Sequence, residues 1–225
     1  MISPALKALL AAIRSKEAPK GYGQIYGGAK LPKGTPTDVS IMPLNSVLAL
    51  QRKMLDNGSR STACGGYQFI RATLLATIKE MGLTGKEVWT PDLQDRMAVH
   101  LLEKRRLSAY MAGAITAEAF ANNLAMEWAS LPVVTAIRGH KGFILEPGMS
   151  YYEGDGLNAA LHDARTFLTL VKALHVEAPA EPVSPPTKPV EPVRPAIGDA
   201  APPVPAPAPR KGFMAWLKGL FSWLR

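Results

Sequence analysis

The chain has 225 residues, a length that suits one domain with appendages or two small domains. Its hydrophobic fraction of 47% is ample for a core, its net charge of +8 favours anionic partners, and its single cysteine excludes an internal disulfide. The four histidines show no metal-ligand spacing, and no Lys/Arg–aromatic interleaving marks a nucleic-acid surface, so no metal, cofactor or nucleic-acid partner is expected.

Composition and charge are both uneven. Twelve of the 20 prolines fall within residues 177–209, a stretch with few large apolar side chains. It reads as a disordered or polyproline-II spacer that would reach roughly 100 Å if fully extended. The charge divides into +6 for residues 1–176, −2 for the spacer and +4 for residues 210–225. A globular domain over 1–176, a linker over 177–209 and a short tail over 210–225 are therefore expected. No run of about 18 apolar residues is present, so no membrane-spanning helix is expected. The first residues lack a basic region and a small-residue cleavage site, and read as a helix rather than a signal peptide.

In chain order, Ser3 and Pro4 form an N-cap and first-turn pair, followed by Leu6, Leu9, Leu10 and Ile13 at helical spacing. This helix is expected to end near Lys16-Glu17. A Gly-, Pro- and Tyr-rich region follows over 21–43, where Tyr22, Ile25 and Tyr26 before Gly27-Gly28 suggest a small hairpin. Further helices are expected over 45–55, 69–81, 90–105 and 116–128. A glycine-dotted loop should cover 132–156 and a last helix 157–174. The fold class is mainly α, with a small β or irregular part near residues 21–40.

Two places carry candidate chemistry. In Ser61-Thr62-Ala63-Cys64-Gly65-Gly66-Tyr67-Gln68, paired glycines permit close backbone approach, and an aromatic ring and an amide follow at once. The segment suits the floor of a sugar cleft. It equally suits a turn before a helix, with Tyr67 packed, Gln68 exposed and Cys64 a small buried hydrophobe. The second place is Glu17, at the C-terminal end of a helix. There the negative end of the macrodipole disfavours ionisation and raises a carboxyl pKa. A carboxylic acid still protonated near neutrality is what cleavage of a glycosidic bond requires.

Glu17, Tyr26-Gly27-Gly28, Thr37-Asp38 with Ser40, the 61–70 block, Gln94-Asp95 and Trp128-Ala129-Ser130-Leu131-Pro132 follow one another in an order that resembles the bacteriophage lambda endolysin family. The resemblance covers about residues 4–174. It implies a lysozyme-like fold and a lytic transglycosylase acting on peptidoglycan. One Glu would cut the β-1,4 bond between N-acetylmuramic acid and N-acetylglucosamine and leave 1,6-anhydro ends. Glu17 matches that residue, and Ser61, Gly66, Tyr67, Gln68, Tyr26 and Asp38 are the expected substrate-binding positions. The chain departs from the family pattern in a longer 38–61 segment, where Gln51 is expected on an exposed helix position, and in a longer 133–152 loop. The resemblance also implies an endolysin that waits in the host cytoplasm until a holin releases it to the murein, acting as a monomer.

Three other readings remain open. Asp38 as a second carboxylate would make a hydrolytic muramidase, although Thr37-Asp38 with Ser40 is also ordinary turn chemistry. The protein could instead be a virion-associated murein-cutting enzyme, or a non-catalytic murein-binding module with a permeabilising tail. Asp95 is expected to support the start of its helix, Glu127 to join a structural ion pair and Trp128 to lie in the core.

In the tail, Phe213, Trp216, Leu217, Leu220 and Leu224 form one helical stripe, with Lys211, Lys218 and Arg225 on another face. This amphipathic helix is too short to span a bilayer. It suits lying on an anionic membrane or lipopolysaccharide.

Overall fold

The computed structural model describes residues 2–176. The Pro-rich linker and the C-terminal amphipathic helix expected above lie outside the described residues.

Seven α-helices among the described residues make the frame. Helix α1 is Pro4–Glu17, α2 Leu44–Asp56, α3 Arg71–Glu80, α4 Pro91–Lys104, α5 Leu107–Met111, α6 Ala117–Ala125 and α7 Ala164–Val176. Local chemistry explains their starts. Ser3, Thr90 and Thr116 accept hydrogen bonds from the backbone N–H of Leu6, Leu93 and Ala119, and proline opens α1 and α4. Helix α3 starts later than its apolar pattern suggests, and its first N–H, from Arg71, is capped by Thr62 Oγ1 at 2.9 Å, nine residues upstream. Arg106, in the left-handed region at φ 77°, turns the chain between α4 and the short α5, which the periodicity did not reveal.

Leu9, Leu10 and Ile13 of α1 enter the same core as Phe120 and Leu124 of α6 and Phe167 and Val171 of α7. Helix α7 packs on both α1 and α6. Tyr110 stacks on Phe120 with centroids 4.9 Å apart and donates its hydroxyl to Val171 O at 3.1 Å, tying α5 to both. Each large aliphatic side chain fully buried here contributes about 1.5–3 kcal/mol. That burial holds the C-terminal end of α1, and with it Glu17, in a fixed place.

The small hairpin suggested by Tyr22, Ile25 and Tyr26 does not form, and the irregular alternative holds. Over residues 21–40 the backbone is irregular, with a single bridge from Ile25 to Cys64 and a 3-10 turn at Val39–Ile41. The two-stranded antiparallel sheet is instead formed by β1, Ile137–Arg138, and β2, Ile144–Leu145, inside the long glycine-dotted loop. Polar groups near residue 25 are satisfied across segments rather than within a hairpin: Tyr26 N–H donates to Ala63 O at 2.8 Å and Val39 N–H to Gly23 O at 3.2 Å. Among the described residues, no helix is long and apolar enough to cross a membrane.

Candidate active site

A cleft of about 960 Å³ opens between the end of α1, the 60–70 turn, the start of α3, the end of α4 and the segment after α6. Glu17, Tyr26, Ser61, Tyr67 and Gln68 all line it, so five residues spread over more than fifty positions of sequence meet in one concavity.

Glu17 is the last residue of α1 and is half-buried. Its Oε1 accepts the backbone N–H of Ser130 at 3.2 Å, from the segment that follows α6. Desolvation pushes its pKa above the ordinary glutamate value, and the Ser130 side chain and backbone N–H beside it draw it partly back. Burial is thus the main cause of the shift, acting at the helix terminus where the macrodipole points the same way. No ion pair to Glu17 occurs among the described residues. Gln24 holds the helix end in place. Its Nε2 donates to Glu17 O at 3.4 Å and its Oε1 accepts Lys20 N–H at 2.8 Å. The backbone carbonyl of Gln24 in turn accepts Gly65 N–H at 2.7 Å. The acid and the turn are therefore joined through one residue.

The turn itself is built on conformations that few residues tolerate. Gly65 has φ +79°, and a Cβ there would meet Gln94 Oε1 and Trp89 Cη2, each at 2.7 Å. Gln68 adopts φ 49° despite carrying a side chain, which costs of order 1 kcal/mol. Its Nε2 donates to Gly65 O at 2.8 Å, fixing the amide at the cleft wall.

Three expected contacts take a different form. Gly66 is outside the lining, and its N–H is already donated to Gln94 Oε1 at 2.7 Å. A Cβ on Gly66 would meet Tyr22 Cδ1 at 2.8 Å and Arg14 Cδ at 2.9 Å, so this glycine serves the packing behind the cleft. Tyr67 reaches the cleft but is only 2% exposed, and its hydroxyl is donated to Asp95 Oδ1 at 2.6 Å. It offers a packed edge rather than an open stacking face. Asp38 does not line the cleft. Its Oδ1 accepts from Ser40 N–H at 3.0 Å and Ser40 Oγ at 2.5 Å, the turn-capping role. Ser61 Oγ likewise accepts Ala63 N–H at 3.2 Å while remaining at the cleft surface.

Several polar residues that shape the cleft escaped the sequence reading. Gln51, expected on an exposed face, is fully buried and donates to Thr62 O at 2.9 Å and Phe69 O at 2.8 Å, clamping both ends of the turn. Gln94, also fully buried, donates to Tyr22 O at 3.1 Å and Trp89 O at 2.9 Å besides accepting from Gly66. Asp95 accepts two tyrosine hydroxyls rather than serving the helix start. Cys64 is buried, and desolvation pushes its thiol up to about 12, the opposite of what a nucleophile needs.

The cleft's other carboxylate is Glu127, paired with Arg105 Nε at 2.8 Å, while Arg105 Nη2 donates to Met126 O at 3.1 Å. Trp128 is 3% exposed and joins the core.

The family model described as Endolysin matches residues 8–156, a span that holds Glu17, the 60–70 turn and the Ser130 segment together. No curated protein and no solved structure matches the chain. With about two-thirds of its length covered, including most of the cleft wall, the chain belongs to the endolysin family, whose members cleave peptidoglycan in phage lysis.

Proposed function

We propose that this endolysin is a lytic transglycosylase in which Glu17 is the single catalytic acid and base. The observation that carries the reading is the contrast inside the cleft. Of its two lining carboxylates, Glu17 has a raised pKa and no cation partner among the described residues, whereas Glu127 is committed to Arg105. A hydrolase of the two-carboxylate kind needs a second free group to activate water or attack the sugar. Asp38, the earlier candidate, lies off the cleft and caps a turn.

In the proposed reaction the protonated Glu17 carboxyl donates its proton to the glycosidic oxygen as the C1–O bond of N-acetylmuramic acid breaks. The 6-hydroxyl of the same sugar then attacks C1, and the Glu17 carboxylate accepts the hydroxyl proton. A 1,6-anhydro ring closes, Glu17 regains its starting form, and no water is consumed. Ser130 N–H, directed at Oε1, stabilises the carboxylate formed between the two steps. Gln68, with Ser61 and Tyr26 beside it, would hold the sugar through hydrogen bonds and ring contact.

Mass spectrometry of digested murein tests the reading. Anhydro ends are expected. Reducing ends, heavier by one water, would replace the transglycosylase with a hydrolase. Glu17→Gln should stop the release of soluble muropeptides, and release at the normal rate would leave only a murein-binding role.

The basic amphipathic stretch at 210–225 is proposed to hold an anionic bilayer or lipopolysaccharide while the Pro-rich segment lets a monomeric catalytic domain reach nearby murein. Release from the host cytoplasm through a holin belongs to the same reading. Deleting 210–225 should abolish liposome binding without changing cleavage of purified sacculi, and mass spectrometry of purified particles should find no virion-borne copy.

A further inference from the structure

We propose that Asp95 is a positioning residue for this cleft, holding the sugar-binding turn at its working distance from the helix that carries Glu17. The proposal rests on the assignment of Glu17 and the 60–70 turn as the two halves of the site.

Asp95 lies on α4, outside the cleft lining, and reaches the site only through Tyr67, one of the expected sugar positions. Its Oδ1 accepts two phenolic hydroxyls at once, from Tyr67 at 2.6 Å and Tyr22 at 2.8 Å. The two rings meet edge to face with centroids 6.3 Å apart. Tyr67 belongs to the cleft turn, immediately before the strained Gln68. Tyr22 belongs to the loop that leaves α1, and the guanidinium of Arg14, one turn before Glu17, sits 4.6 Å from its ring centroid. One oxygen atom thus couples the acid-bearing helix to the sugar-holding turn through two rigid rings. The adjacent Gln94 grips the same two segments by backbone, accepting Gly66 N–H and donating to Tyr22 O.

This is a costly way to fill space. The Tyr67 hydroxyl is taken from water, and the Tyr22 hydroxyl and the Asp95 carboxylate are partly covered, where apolar side chains would pack without that penalty. What two charge-assisted hydrogen bonds add over apolar packing is direction. They set the rotation of Tyr67 and so the orientation of the φ-positive residue that follows it. Burial first, and then the bond to Asp95, push the pKa of both tyrosine hydroxyls upward, so they stay protonated donors throughout the working pH range.

The experiment measures binding of the full-length chain to purified murein sacculi by co-sedimentation. A Glu17→Gln background keeps the substrate intact, and the temperature is held well below the Tm of every variant. Adding Asp95→Ala should weaken binding about tenfold, and Tyr67→Phe should do the same. The double variant should be no worse than either single one, because both remove one interaction. Asp95→Asn, whose carbonyl oxygen still accepts both hydroxyls, should recover most of the binding. A merely structural role would lower Tm and leave binding unchanged below it. Wild-type binding by Asp95→Ala, or additive losses in the double variant, would overturn the proposal. If Asp95→Ala does not fold, Tyr67→Phe and Tyr22→Phe carry the test with the same expectations, and undiminished binding by both overturns it. Full turnover by Glu17→Gln alone would instead remove the catalytic assignment, an outcome that the binding measurement does not share.

Discussion

The cleft holds two glutamates in contrasting surroundings. Glu17 ends a helix, meets one backbone N–H at 3.2 Å and has no cation partner among the described residues, and desolvation raises its pKa. Glu127 follows α6, and its Oε2 takes Arg105 Nε at 2.8 Å with both side chains largely covered. Residue type is the same and the cavity is the same. The difference lies in what each carboxylate meets: burial without a counter-charge makes an acid, and burial with one makes a strut. Position on a cleft therefore says little until the partners of each group are known.

The sharpest way to break this contrast is to remove each carboxylate in turn. Glu17→Gln should lower murein cleavage by about 10²–10⁴-fold, the scale of a general acid–base group, with the fold kept. Glu127→Gln should leave Arg105 half-buried without its counter-charge and cost about 1–3 kcal/mol of stability, with a smaller loss of activity that tracks the unfolded fraction. Turnover assays beside thermal melts separate the two. Equal loss of activity per folded molecule in both variants would erase the distinction.

A second prediction concerns the turn facing the acid. Gly65→Ala adds a methyl that meets Gln94 Oε1 and Trp89 at 2.7 Å and places an L residue at φ +79°. It should destabilise by roughly 1–3 kcal/mol. It should also disturb Gln68, whose amide bonds to Gly65 O, and so lower turnover of the protein that remains folded. Normal turnover per folded molecule would show that the turn serves the fold alone.

Helix starts were legible because Ser3-Pro4 and Thr90-Pro91 are local signals, complete within four residues. Glu17 was legible as a helix-terminal carboxyl, but its partner Ser130 is 113 residues away, and no periodicity links them. The hairpin suggested near Tyr22 is absent for a physical reason. Residues 21–40 place their backbone bonds in tight turns of their own and on Ala63 and Gly65, while strands two residues long in the 137–145 hairpin leave no alternation to read. Gln51 was readable in hindsight: it lies four residues after Val47 and three before Met54, both fully buried, so it shares the inward face of α2. A polar residue on an apolar stripe signals a buried hydrogen-bonding duty, here the two carbonyls of the cleft turn. Asp95 carried no such signal, because its significance comes from two tyrosines brought to it by the tertiary fold.

The smallest expected effect is the stability cost of keeping Glu17 an acid. Its folded pKa lies above the value it would have in an unfolded chain, because burial penalises the charged form. The folded state therefore binds this proton more tightly than the unfolded state does. The resulting stability is fully present below the unfolded glutamate pKa. It declines as pH rises through the interval between the two values and is lost above the folded one. Above the folded pKa, the buried carboxylate is thus a burden on the fold, and Glu17→Gln removes it while keeping an acceptor for Ser130 N–H. The variant should gain about 1 kcal/mol above the folded pKa, and the gain should shrink as pH falls through the interval and vanish below the unfolded value. The same substitution that abolishes cleavage should then raise the Tm, with a pH dependence that follows the alkaline limb of the wild-type activity profile. Melting both proteins across pH 4–8 checks it. A gain that does not vary with pH would mean that Glu17 is not titrating in that interval, and its role as the protonated acid would lose its physical basis.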